Sequence, residues 1–202
     1  MALKYDLIAV VGYLLGSVSI SVLLTKTILH NDVRNHGSGN AGATNVARVF
    51  GLPQGLLTLG GDMLKTALAG LFGLLLAGRT GMVIGCFGTL IGHTWPVFFK
   101  FRGGKCVSVS ACIALLLDWR MFLILFVVFA VVFLLTRRIS ACSISCAAVY
   151  PIVYWLLHPG FGLEHILCLF ICVLVIVLHR SNIKRLLKGE EAEFRPKPRE
   201  RK

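Results

Sequence analysis

"GLPQGLLTLGGDMLKTALAGLFGLLL", residues 51–76, runs for twenty-six positions with only Asp62 and Lys65 charged. A helix needs about 20 apolar residues to cross roughly 30 Å of hydrocarbon, so the stretch reads as a membrane span. The whole chain agrees: of 202 residues, 56% are hydrophobic and 15% charged, with a mean hydropathy of +0.81. These values describe an all-α integral membrane protein. Working outward between charges, further spans are expected at about 5–25, 81–99, 104–117, 121–136, 139–157 and 163–179, about seven in all. The fourth and seventh are short, which leaves open five full spans with membrane-dipping hairpins.

The net charge of +12 does not point to nucleic acid, because the basic residues punctuate apolar runs and crowd the C-terminus. Their bias toward cytoplasmic loops predicts the N-terminus outside and the C-terminus inside. That topology places seventeen Lys and Arg inside, against Lys4, Arg79 and Arg120 outside. Lys4 precedes an apolar run without a small-residue cleavage site, so this run reads as the first span rather than a signal peptide. Residues 1–187 form one polytopic domain, and 188–202, including "EEAEFRPKPRERK", have the charge and proline content of a disordered cytoplasmic tail. Cysteines 86, 106, 112, 142, 146, 168 and 172 lie mostly within apolar runs and read as small core hydrophobes. Glycines four apart, Gly12 with Gly16, Gly81 with Gly85 and Gly88 with Gly92, suit close helix packing.

Three polar segments fall on the predicted inner face. "GSGNAGATNVAR", residues 37–48, combines Gly37, Gly39 and Gly42 with Ser38, Asn40, Thr44 and Asn45, and ends in Arg48. Exposed N–H groups and short donors next to a fixed cation make an anion-binding concavity. "GHTWPVFFKFRGGKCVSV", residues 92–109, places Gly103, Gly104 and Lys105 before a helix, without the spacing of a Walker loop. His93 within it reads as a proton carrier or a buried hydrogen bonder. "HRSNIKRLLKGEE", residues 179–191, puts His179, Asn182 and Arg185 at three-residue spacing on one helix face. Arg180, Lys184 and Lys188 lie on other sides, suited to anionic lipid headgroups. Asp62 and Lys65, three apart, read as a structural ion pair or a support for the first loop. No metal-ligand spacing and no carboxylate cluster is visible, so no cofactor is expected. Arg48, Lys105 and Arg185 are the cations available to a phosphate-bearing substrate.

In order and over essentially the whole chain, these three segments and "GDMLK", residues 61–65, resemble the bacterial acyl-phosphate:glycerol-3-phosphate acyltransferases, the PlsY family. The resemblance implies a bacterial cytoplasmic membrane enzyme whose active site faces the cytoplasm. It would form lysophosphatidate and phosphate from acyl phosphate and glycerol 3-phosphate, the first acylation in phosphatidic acid synthesis. Ser38, Arg48, Lys105, His179 and Asn182 match its substrate-binding or catalytic positions, with Gly103 and Gly104 shaping a phosphate loop. Cys106 and Thr66 stand where glycine is usual in that family. An acyl phosphate is already activated, so positioning and charge neutralisation suffice. Lys105 and Ser38 would hold one phosphate and Arg48 the other, while His179 and Asn182 orient the acceptor. His179, His93 or a substrate phosphate oxygen would take the proton. Membrane lipids are the surrounding partner, and no nucleic acid or obligate protein partner is expected. A transporter of phosphate esters is the competing reading, since its sites also use buried cations and broken helices.

Overall fold

The computed structural model describes residues 2–197, so the last part of the expected disordered tail, 198–202, lies outside the described residues. All regular elements among the described residues are helical. They are α1 (Ala2–Ser17), α2 (Ile20–Thr27), α3 (Ala43–Phe50), α4 (Leu52–Thr94), α5 (Val107–Leu117), α6 (Trp119–Thr136), α7 (Ile139–Leu157), α8 (Leu163–Leu178) and α9 (Arg180–Leu187). Short 3-10 turns occupy Val33–Asn35 and Val97–Phe99. The described residues divide into two compact units, 2–113 with 195–197, and Ala114–Phe194.

In the first unit α4 is not a single rod. At 1.5 Å per residue its 43 residues would extend about 65 Å, twice a bilayer's hydrocarbon thickness. The helix breaks at Ala77 and at Gly78, whose φ of 62° and ψ of −153° suit only glycine. Gly73 and Gly81 then meet backbone to backbone, closing a helical hairpin with arms 52–76 and 79–94. These arms match the two spans expected there. α1 runs parallel to the second arm, with Gly12 against Gly85 and Gly16 against Thr89, so near that a Cβ on Gly12 would stand 2.6 Å from the Gly85 carbonyl oxygen. Gly88 and Gly92 press in turn on the α1 backbone at Ala9, Tyr13 and Ser17. Helices without a hydrophobic drive to associate gain contact through such small residues. Leu57, Leu64, Leu68 and Leu75 face outward on the first arm, where lipid is the expected solvent.

In the second unit α6, α7 and α8 run up, down and up. Asp118 caps α6 by accepting from Arg120 N at 2.8 Å, and its Oδ2 also accepts from His158 Nε2 at 2.8 Å at the end of α7. His165 accepts from Gly162 N at 3.1 Å through Nδ1 and donates to His158 O at 2.9 Å through Nε2, which ties in the start of α8. The Arg120 guanidinium beside Asp118 holds that carboxyl well below the usual range. At the opposite end of these helices lie Arg137, Arg138 and α9.

Residues 2–27, 52–99, 119–136 and 139–157 are long and apolar enough to span a membrane, and α8 with α9, bent by 60°, makes a fifth such segment. α5 has only 11 residues, about 16 Å, and cannot cross alone. The helices fall where seven spans were expected, but the fourth is a partial element. All seven cysteines are free thiols, and Cys86, Cys106, Cys112, Cys142 and Cys168 are buried.

Candidate active site

The loop before α3 is organised by one amide. Asn45 is fully buried; its Oδ1 accepts from Ser38 N at 2.9 Å, while Nδ2 donates to the carbonyls of Val33, His36 and Asn40 at 3.0–3.2 Å. Expected as a substrate donor, Asn45 is instead turned wholly inward, because its side chain closes the loop on itself. Gly37 and Gly39, at φ 57° and 70°, make the left-handed turns that leave Ser38 exposed at the tip. The Ser38 hydroxyl makes no hydrogen bond among the described residues. Nor does the half-buried guanidinium of Arg48, on the last turn of α3, find a partner there. Thr44 sits half-buried in the first turn of α3. A hydroxyl and a cation are thus left for an external anion.

The same loop carries a clamp that motif reading missed. Asp32 caps the turn Val33–Asn35 by accepting from Arg34 N at 3.0 Å, and takes Arg34 Nε and Nη2 at 3.0 and 2.8 Å. The Arg34 fork holds the Asp32 carboxyl well below its ordinary range. A depressed folded pKa stabilises above the unfolded value, so the clamp persists above about pH 4 and is lost only as pH falls through the folded pKa.

In the second segment the glycines serve close approach. A Cβ on Gly104 would collide with His93 Nε2 and stand 3.1 Å from Ala41 O, while one on Gly103 would enter the His93 carbonyl. The Gly104 N–H is already spent on His93 O at 3.0 Å, so it does not join an anion cradle. This contact sets the Gly103–Gly104–Lys105 turn against the first loop at Ala41. Lys105 is half-buried, two residues before α5. Cys106 takes φ 62°, a left-handed conformation that costs a side-chain-bearing residue about 1–2 kcal/mol. Its thiol is fully buried against Thr94 Oγ1 at 2.9 Å.

Beneath this turn lies a buried ionic group. Lys65 Nζ donates to Gly16 O at 3.0 Å, Val18 O at 2.8 Å and His93 Nδ1 at 3.0 Å, and pairs with Asp62 Oδ1 at 3.0 Å. Asp62 Oδ2 accepts from Ser108 Oγ at 3.1 Å, at the start of α5. Lys65 therefore satisfies the carbonyls exposed where α1 breaks into α2, and Asp62 anchors the helix after the phosphate loop. Of the two roles read from sequence the ion pair is present, while the hydrogen bonds run to the α1–α2 break, to His93 and to the start of α5 rather than to residues 37–48. With Nδ1 accepting from Lys65 and Nε2 packed against Gly104, His93 braces the glycine turn from beneath.

The second unit holds the third segment. His179, 4% exposed, terminates α8 with Nδ1 on Val175 O at 2.8 Å, which leaves Nε2 as the ring's other polar atom. Asn182 Nδ2 donates to Glu191 Oε1 and Arg185 Nε to Glu191 Oε2, both at 2.6 Å. Ser140 Oγ joins Oε1 at 2.7 Å, and Arg138 Nε reaches Glu191 O at 2.8 Å. The spacing of the motif carries no signal for Glu191, since nothing in it shows a chain folding back after Gly189. Burial pushes its carboxyl up, and the hydrogen bonds from Ser140, Asn182 and Arg185 outweigh this to bring it down. Glu191→Gln removes the charge from this hub and is expected to lower the melting temperature by several degrees, about 1–3 kcal/mol. A melt unchanged within error would show that the hub carries no stability. Among the described residues no group of three His, Cys, Asp or Glu is placed to hold a metal ion.

Residues 7–189 match the family model described as Glycerol-3-phosphate acyltransferase. The protein of that name from Thermoanaerobacter pseudethanolicus is 38% identical over 191 residues, covering 93% of this chain and 94% of the relative. The one from Clostridioides difficile is 39% identical over 197 residues, covering 95% and 96%. The crystal structure of PlsY (YgiH), an integral membrane glycerol 3-phosphate acyltransferase, in its glycerol 3-phosphate form, superposes with a TM-score of 0.86 at 31% identity over 95% of this chain and 96% of that one. Its lysophosphatidic acid form gives 0.85 at 30% identity over 95% of each chain. Helical architecture, phosphate-suited loops and similarity along nearly the full length agree: this chain belongs to the glycerol-3-phosphate acyltransferase family and is an acyltransferase.

Proposed function

We propose that the protein transfers a fatty acyl group from acyl phosphate to the 1-hydroxyl of sn-glycerol 3-phosphate. The observation that carries this reading is the pair of loops in the first unit. One keeps the Ser38 hydroxyl and the Arg48 guanidinium unspent, and the other presents Lys105 beside it on a glycine turn. The acceptor oxygen attacks the acyl carbon, the new ester C–O bond forms, and the bond from acyl carbon to phosphate oxygen breaks. Phosphate departs with the electron pair, and the hydroxyl proton passes to a substrate phosphate oxygen. Ser38 and Lys105 hold one phosphate and Arg48 the other; His179 and Asn182 orient the acceptor.

The same reading sets the protein in a bacterial cytoplasmic membrane with the N-terminus outside. Within each unit the charge supports it. In the first, Arg34, Arg48 and Lys105 lie at the end of the α4 hairpin away from Arg79. In the second, Arg137, Arg138 and α9 lie at the end away from Arg120.

Intact-protein mass spectrometry of enzyme quenched in acid during turnover tests the single displacement. No acyl-enzyme is trapped if acceptor attack is direct, whereas an acylated Ser38 would overturn it. Palmitoyl phosphate is expected to support turnover where palmitoyl-coenzyme A does not. The reverse would refute the donor assignment.

A further inference from the structure

Arg34 belongs to none of the phosphate-suited segments, yet it is bonded to both loops that carry them. Its Nε and Nη2 engage Asp32, and its Nη1 donates to Phe99 O at 3.0 Å. Asp32 is braced further by Lys26 at 3.4 Å, and the Arg34 and Asp32 side chains are only 14% and 15% exposed.

On one side, the turn holding Arg34 leads into the Asn45 hub. Val33 N donates to Thr25 Oγ1 at 3.3 Å, Val33 O accepts from Asn45, and Asn45 accepts from Ser38 N. On the other side, Phe99 O is the pivot of the turn that delivers Gly103, Gly104 and Lys105. It also accepts from Arg102 N at 3.3 Å, and Lys100 and Phe101 just after it both adopt positive φ, 58° and 56°. Two consecutive left-handed non-glycine residues are costly and persist only where their surroundings hold them. The Arg34 bond to Phe99 O is one such restraint.

We propose that Arg34 is a positioning residue that sets the spacing between the loop bearing Ser38 and the turn bearing Lys105, and thereby the grip on the substrate phosphate. The proposal rests on reading these loops as phosphate grips. Arg34 Nε and both terminal nitrogens are engaged, so it acts through the loops and not on substrate. A planar fork is required, because one ammonium cannot hold a carboxylate bidentately and also reach a carbonyl on its far side.

The test measures initial rates for full-length wild type, Arg34→Lys, Arg34→Gln and Asp32→Asn over a range of glycerol 3-phosphate and palmitoyl phosphate concentrations, with melting temperatures measured alongside. In Arg34→Gln the KM for glycerol 3-phosphate is expected to rise about tenfold or more, exceeding the fall in kcat. Arg34→Lys should keep the charge and the fold but recover only part of the KM. Unchanged KM values, with Vmax falling only in step with the folded fraction, would overturn the proposal, as would full recovery in Arg34→Lys. Product from wild type alongside either result sinks this inference alone. A folded wild type that makes no product sinks the functional reading and this inference with it.

Discussion

Lys105→Ala is expected to lower acceptor-dependent phosphate release by about 10²–10³-fold, the usual loss when one fixed donor to developing charge is removed. The ammonium stands on a glycine turn two residues before α5, near a helix start whose N–H groups also favour an anion. Lys105→Arg keeps the charge and should retain measurable turnover, because a phosphate can be met by either cation, though with altered geometry. Lys105 is half-buried outside the α5 core, so the melting temperature of the alanine variant should fall by no more than a few degrees. A steady-state assay of both variants beside a thermal melt separates lost chemistry from lost fold. Near wild-type turnover in Lys105→Ala would remove this residue from the reaction.

Lys65→Met is expected to be the most destabilising single change, by about 3–5 kcal/mol, since it leaves Asp62 buried without its countercharge. Asp62 is 1% exposed and Lys65 4% exposed, and the ammonium also supplies three hydrogen bonds. The carbonyls of Gly16 and Val18 would lose their donor inside the membrane unit, where water is not available to replace it. Combining Lys65→Met with Asp62→Asn removes the stranded charge and should recover part of the loss. A melt of the single variant in detergent that matched wild type would show that the pair is not carrying the α1–α2 break.

The span positions were legible in the sequence because apolar runs interrupted by charge are a one-dimensional signal. So was the hairpin, in that Arg79 separates the runs now seen as residues 52–76 and 79–94. The shortness of 104–117 was legible too, but not how much of it is helix, which is only Val107–Leu117. The polar motifs identified which segments matter, but not which atoms are already engaged. Asn45 and Ser38 look equivalent as short donors, and only folding reveals that one is consumed closing the loop while the other stays at its tip. Gly104 reads as a source of a free N–H, whereas its actual requirement is the imidazole packed against it. Arg34 and Glu191 were hidden for a different reason. Their partners, Phe99 O and the side chains of Ser140 and Asn182, are remote in sequence or are reached by a chain reversal that no local pattern encodes.

The most direct test is to purify the protein in detergent and follow phosphate release from palmitoyl phosphate with and without glycerol 3-phosphate, quantifying lysophosphatidate by mass spectrometry. The account predicts release that depends on the acceptor and is matched one for one by lysophosphatidate. Folded protein that releases no acceptor-dependent phosphate and forms no lysophosphatidate, with acyl-coenzyme A as well as with acyl phosphate, would contradict it. Flux of phosphate esters into liposomes would then be the activity to measure.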